Sequence, residues 1–129
     1  VTDLPALIKK LRGLKGPDGE VDIAIVKALY PFIGECSPLC ADDEPIFWRE
    51  PFYKQPCPPL TASLDAVTAL IERDGTWDWS IFRDNGEVIA GVQPAPEGGC
   101  DIADAHAPTP AIALLIAFLE AKMEMKDAN

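Results

Sequence analysis

The sequence is poor in positive charge. It holds 11 Lys and Arg against 21 Asp and Glu, a net charge of −10. Nonspecific binding to nucleic acid is driven by cationic side chains that displace counterions from phosphates, so this composition excludes it. Docking on an anionic membrane face is disfavoured for the same reason. Long apolar runs are missing too. The longest, Ala111 to Leu119, is far shorter than the ~18 residues of a membrane span. His106 is the sole histidine, so any imidazole base must be that residue. No glycine pattern matches a phosphate loop or a dinucleotide fingerprint, since Gly98-Gly99 follows a hairpin instead of opening a helix. Ser37, Ser63 and Ser80 sit in no nucleophile-elbow context. No internal repeat or low-complexity tract is visible.

Cysteine is present but poorly arranged for chemistry. Cys36 and Cys40 form a C-x3-C pair, with Cys57 and Cys100 elsewhere. A thioredoxin-type motif needs C-x-x-C. A four-thiolate zinc site usually uses two tight pairs, and only one exists here. The thiols read as small buried or incidental residues in a reducing cytoplasm. No metal or other cofactor is expected, and Cys36, Cys40 and Cys57 are the residues that would hold a metal. Asp42-Asp43-Glu44 lacks the spacing and glycine of a calcium loop and reads as a solvated loop tip.

What is there suits one domain over residues 1–129, with 48% hydrophobic and 25% charged residues. Leu4, Leu7, Ile8 and Leu11 recur at helical spacing before Gly13 and Gly16. A second helix opens at Gly16-Pro17-Asp18 and ends at Pro31, with Val21, Ile25, Ala28 and Leu29 as its buried stripe. Residues 31–59 carry seven of the 13 prolines and also Phe47, Trp48, Phe52 and Tyr53. Such a segment reads as a long ordered loop, too broken for a periodic element and too apolar for disorder. A third helix follows, capped by Ser63 and closed by Gly75, with Leu64, Val67, Leu70 and Ile71 inward.

The period then changes to two. Trp77, Trp79 and Ile81 share one strand face, and Asp78, Ser80 and Phe82 the other. The indoles read as a core face under a helix, with ligand stacking as the alternative. Asp84-Asn85-Gly86 is a hairpin turn, Glu87–Gln93 the return strand, and Cys100–Ala107 a third strand. Thr109 caps a last helix that starts at Pro110, runs to about Met125 and is apolar on nearly all sides, which predicts burial between layers. The order predicts an α+β fold with a small antiparallel sheet of three strands packed with helices.

Two features stand out as interaction candidates. The first is the loop aromatics Trp48, Phe52 and Tyr53, which either meet a partner or pack on the domain itself. The second is the distribution of acid. Residues 1–64 have a net charge of −2 and residues 65–129 a net of −8. Between 74 and 104 seven acids, among them Asp84, Glu87, Asp101 and Asp104, face the single base Arg83. Such a pole attracts a basic partner or serves only solubility. Asp104 shares a strand face with His106, and Asp101 does not.

Four pieces together resemble the phage ABA (α-β-α) sandwich domain family of phage and prophage proteins. They are Gly16-Pro17-Asp18-Gly19-Glu20-Val21-Asp22-Ile23-Ala24-Ile25, Thr61-Ala62-Ser63-Leu64-Asp65-Ala66-Val67, Trp77-Asp78-Trp79-Ser80, and Ala107-Pro108-Thr109-Pro110-Ala111-Ile112-Ala113-Leu114-Leu115. Their span runs from about Leu7 to Glu120. The resemblance implies a phage or prophage origin and a helix-sheet-helix sandwich. It supplies no activity and no catalytic residues. The expectation is a non-enzymatic accessory protein acting by contact with a host or phage protein in the cytoplasm of the infected or lysogenic bacterium. One alternative is an enzyme or small-molecule binder with a site under the 31–59 loop, using Asp101, Asp104 or His106 with a metal. Another is a homo-oligomeric structural part that pairs through the apolar last helix.

Overall fold

Thr109 and Pro110 start the helix on which the rest of the molecule is built. The Thr109 hydroxyl accepts from the Ile112 amide at 3.2 Å, and its carbonyl accepts from Ala113 at 3.0 Å. Pro110 has no amide hydrogen to leave unbonded in the first turn. From there α4 runs Pro110–Asp127, and every residue from Ala111 to Leu119 is buried. The structure, a computed structural model, describes residues 4–30, 33, 37–38, 45–50, 52–53, 55–75, 77–94 and 103–127.

The other helices are α1 (Leu4–Arg12), α2 (Gly19–Leu29) and α3 (Leu64–Asp74). The strands are β1 (Ser37–Pro38), β2 (Pro45–Ile46), β3 (Trp77–Asp84), β4 (Glu87–Pro94) and β5 (Ala103–Ala107). The main sheet is antiparallel in the order β3-β4-β5, and β1 pairs separately with β2. The α+β class and the three-stranded sheet are those the residue pattern predicts. Asn85 at φ 53° and Gly86 at φ 84° make the tight turn that joins β3 to β4.

α4 lies across β4 and β5, barely reaches β3, and packs against α1 and α3 on its other side. Small side chains on the inner face of the sheet, Ala90 and Ala105 beside Val88 and Val92, let it come close. The layers therefore run sheet, α4, then α1 and α3. In β4 Val88, Ala90, Gly91 and Val92 are buried, Glu87 is exposed, and Ile89 and Gln93 are half-buried. Only one face of the sheet has the apolar alternation that a helix layer needs.

The segment expected as a loop, 31–59, is described only in part. Ile33, Phe47 and Phe52 enter the core, and the Phe47 amide donates to the Gln55 carbonyl at 2.9 Å. The short β1–β2 pair inside the loop was not visible in a segment so rich in proline. Residues 95–102 lie outside the described residues, so the expected third strand is seen from Ala103 only.

A buried polar knot joins α2 to the turn before α3. Asp18 caps α2 through Oδ1, which accepts from the Glu20 and Val21 amides at 3.0 and 3.3 Å. Its own amide donates to Thr61 Oγ1 at 2.7 Å. Asp22, only 6% exposed, accepts from the Thr61 amide at 2.8 Å. Two of the segments that carry the family resemblance thus meet at this knot, and their polar residues read as fold-makers. Burial pushes the Asp22 carboxyl above its usual range, more than the hydrogen bonds from Thr61 lower it.

Two predictions follow from the packing. Leu115→Ala leaves a cavity in the central layer and costs about 2–5 kcal/mol of unfolding free energy in urea titration. Asp22→Ala strands the Thr61 amide and costs about 1–3 kcal/mol at neutral pH. Asp22→Asn keeps the acceptor and stays within about 1 kcal/mol of wild type there. Because the folded state holds the Asp22 proton more tightly than the unfolded one, wild type gains on Asp22→Asn as the pH falls through the raised value toward 3.8. Paired urea titrations at neutral and acidic pH read that crossing, and a gap independent of pH would contradict it.

Candidate functional site

With α4 on the inner face, the outer face of the sheet leaves Asp78, Ser80, Phe82, Glu87 and His106 exposed, with Ile89 and Gln93 half-buried and Gly91 buried. The strand register lays out what it carries. Phe82 pairs with Ile89, and Ile89 with His106, giving one row across three strands. On one side of it the register sets Asp84 opposite Glu87. On the other it sets Ser80 opposite Gly91 and Gly91 opposite Asp104, followed by Asp78 opposite Gln93. An apolar row is thus bracketed by acidic positions.

Phe82 is 53% exposed, the most open large hydrophobic residue among those described. His106 Nδ1 and Glu87 Oε2 lie 3.0 Å apart in an exposed pair. A shallow hollow of about 360 Å³ beside them is lined by Gly86, Glu87, His106, Ala107 and Pro108. The carboxylate can orient the ring, but the lining supplies no hydroxyl or thiol for the ring to activate. General-base chemistry needs such a proton within reach. The pair suits recognition better than covalent catalysis.

β3 is an edge strand, and its ends of contact explain its exposure. Trp77 packs edge-on against Phe118 with ring centroids 6.0 Å apart. Its Nε1 donates to Asp74 Oδ2 at 2.9 Å, and Asp74 Oδ1 accepts from Lys122 at 2.7 Å. This cluster ties the start of β3 to α3 and α4. Beyond it α4 no longer covers β3, so Trp79 is 39% exposed although it stands on the inner face opposite Val92. The expectation of two indoles under a helix holds for Trp77 and fails for Trp79.

The loop aromatics divide. Phe52 is corrected from partner contact to core. It is 7% exposed, meets Tyr30 at 5.7 Å and Phe47 at 6.2 Å, and lies under the Arg73 guanidinium at 5.1 Å. Trp48 and Tyr53 are 40% and 46% exposed. The hollow beneath the loop, bounded by Phe52, Pro58, Leu70 and Arg73, holds about 190 Å³, below the roughly 300 Å³ at which ligand pockets begin.

Of the acidic candidates, Glu87 and the backbone positions of Asp84 and Asp104 share the open face. Asp101, Cys36, Cys40 and Cys100 lie outside the described residues. Cys57 is half-buried, with Sγ 3.6 Å from the Pro58 carbonyl oxygen. Among the described residues no three His, Cys, Asp or Glu side chains group as a metal site. Two members of the face were not among the contact residues expected from sequence. Phe82 and Ile89 could have been paired by counting back from the Asn-Gly turn. The partnership of Glu87 with His106 depends on the β4–β5 register, which the long connection between those strands conceals.

Comparison with protein-family models, with curated proteins and with solved structures yields no match for this chain. The geometry carries its own prediction about where stability resides. Asp74→Ala leaves Trp77 Nε1 and Lys122 without their acceptor and costs about 1–3 kcal/mol. Glu87→Gln, in an exposed pair, changes unfolding free energy by less than about 1 kcal/mol. Urea titration of both variants checks the contrast, and equal losses would contradict it.

Proposed function

We propose that this protein works by protein–protein contact through the open face of its sheet, as a phage or prophage accessory protein in the cytoplasm of its bacterial host. The observation that carries the reading is Phe82, 53% exposed in a row with Ile89 and His106 and bracketed by acidic positions. An apolar centre with a polar rim is the anatomy of a contact patch. Asp78, Asp84, Glu87 and Asp104 favour a partner carrying positive charge, host or phage in origin. The resemblance to the phage sandwich family supports the setting. Among the described residues no helix is long and apolar enough to cross a membrane.

The competing readings have less to rest on. Among the described residues, the hollow under the loop that a small molecule would use holds about 190 Å³. Oligomerisation through the last helix would need an apolar face, and Ala111–Leu119 is already enclosed.

The test is affinity capture from bacterial host lysate at about 0.05 and about 0.15 M salt. Wild type retains a discrete basic protein. Phe82→Ser and Glu87→Lys each lower its recovery at least about tenfold, equivalent to about 1.4 kcal/mol, and Trp48→Ala leaves it unchanged. Retention of nothing above background at either salt would sink the reading. Loss with Trp48→Ala alone would move the contact to the loop.

A further inference from the structure

The open face ends at a strand edge with the features of a docking rail. β3 runs eight residues, Trp77 to Asp84, and pairs with β4 without a bulge from one end to the other. Among the described residues no strand pairs with its other side. Sheet edges are normally blunted by shortness, by Pro or Lys, or by a bulge. β5, the opposite edge, has five small or polar residues, Ala-Asp-Ala-His-Ala, and fits that description of a short edge. β3 is neither short nor bulged and holds no Pro or Lys, so its charges, Asp78, Arg83 and Asp84, are the only such device it carries.

Its backbone groups can be assigned. A two-residue turn closes on a pair of residues bonded to each other, here Asp84 and Glu87 around Asn85-Gly86. In an antiparallel ladder bonded and non-bonded pairs alternate. Asp84, Phe82, Ser80 and Asp78 thus direct their amides and carbonyls to β4. Trp77, Trp79, Ile81 and Arg83 direct theirs to the free edge. That row of donors and acceptors has an exposed aromatic on each side of the sheet, Trp79 at 39% on one face and Phe82 at 53% on the other.

We propose that the β3 edge takes up an extended cationic segment of a partner protein as a fourth strand. The inference rests on the reading of the face as a contact surface and names how the partner engages it. The main-chain groups of Trp79, Ile81 and Arg83 supply the hydrogen bonds, and the two aromatics cover the added strand from above and below. The charge of the occupant follows from Asp78 and Asp84 on β3 itself and Glu87 at the start of the neighbouring strand, against the single base Arg83. A second copy of this chain is the less favoured occupant, because each copy brings a net charge of −10.

The experiment is residue-resolved amide hydrogen exchange of the full chain with and without an alternating Lys-Val peptide of about seven residues, one strand in length. Strand addition slows exchange at Trp79, Ile81 and Arg83 at least about tenfold, and hardly alters Ser80 and Phe82, whose amides already bond to β4. A Glu-Val peptide of the same length protects none of them. Trp79→Lys puts a charge on the edge and removes the protection, with its melting curve as the check that it still folds. Absence of alternating protection in wild type overturns the proposal. Protection of the same amides on concentrating the protein without peptide overturns the choice of occupant in favour of a second copy. If Phe82→Ser still loses its lysate partner while the peptide protects nothing, the contact face survives and the strand addition does not.

Discussion

A helix with no polar side has to be enclosed, and that requirement organises this molecule. Between Ala111 and Leu119 there is no position at which α4 could face water without exposing apolar surface. The sheet covers one side of it, and α1 and α3 cover the other. Each fully buried Leu, Ile or Phe in that run contributes about 1.5–3 kcal/mol. Few other features of the chain offer burial on that scale. Peripheral ties such as Arg12 to Glu120 and Lys122 to Asp74 then fix how the neighbours sit on the central helix.

The same enclosure decides which surfaces are left over. The sheet spends one face on α4, so its other face meets solvent. α4 covers β4 and β5 more fully than β3, so the edge strand keeps exposed aromatics on both of its sides. Acid is carried by the sheet, with Asp78, Asp84, Glu87 and Asp104 against Arg83, and by α3, with Asp65, Glu72 and Asp74 against Arg73. The strongly acidic half of the chain supplies both the innermost helix and the most open surface.

The local rules of the sequence were readable wherever they acted over a few residues. Ser63 caps α3, Asp18 caps α2, and Asn85-Gly86 turns the hairpin, each for a reason visible within four positions. The enclosure of α4 could be read from its composition. What could not be read was tertiary in origin. Phe52 and Tyr53 are adjacent, yet one is in the core and the other is exposed. Trp77 and Trp79 share a face by parity, but only the first lies beneath Phe118. The same strand alternation that placed Phe82 outward could not say that no helix layer would cover it. The Glu87–His106 pair needed a register that passes through a connection of irregular composition.

Chain order gives α4 one more consequence. Every element it encloses precedes it, from α1 at Leu4 to β5 at Ala107. During synthesis the inner face of the sheet and the apolar stripes of α1 and α3 are made before the helix that covers them exists. They cannot reach their native packing until residues past 119 have left the ribosome. Domains fold as units as they emerge, and here the described elements cannot pack together before α4 is made. Until then the growing chain carries the apolar surface that α4 will cover.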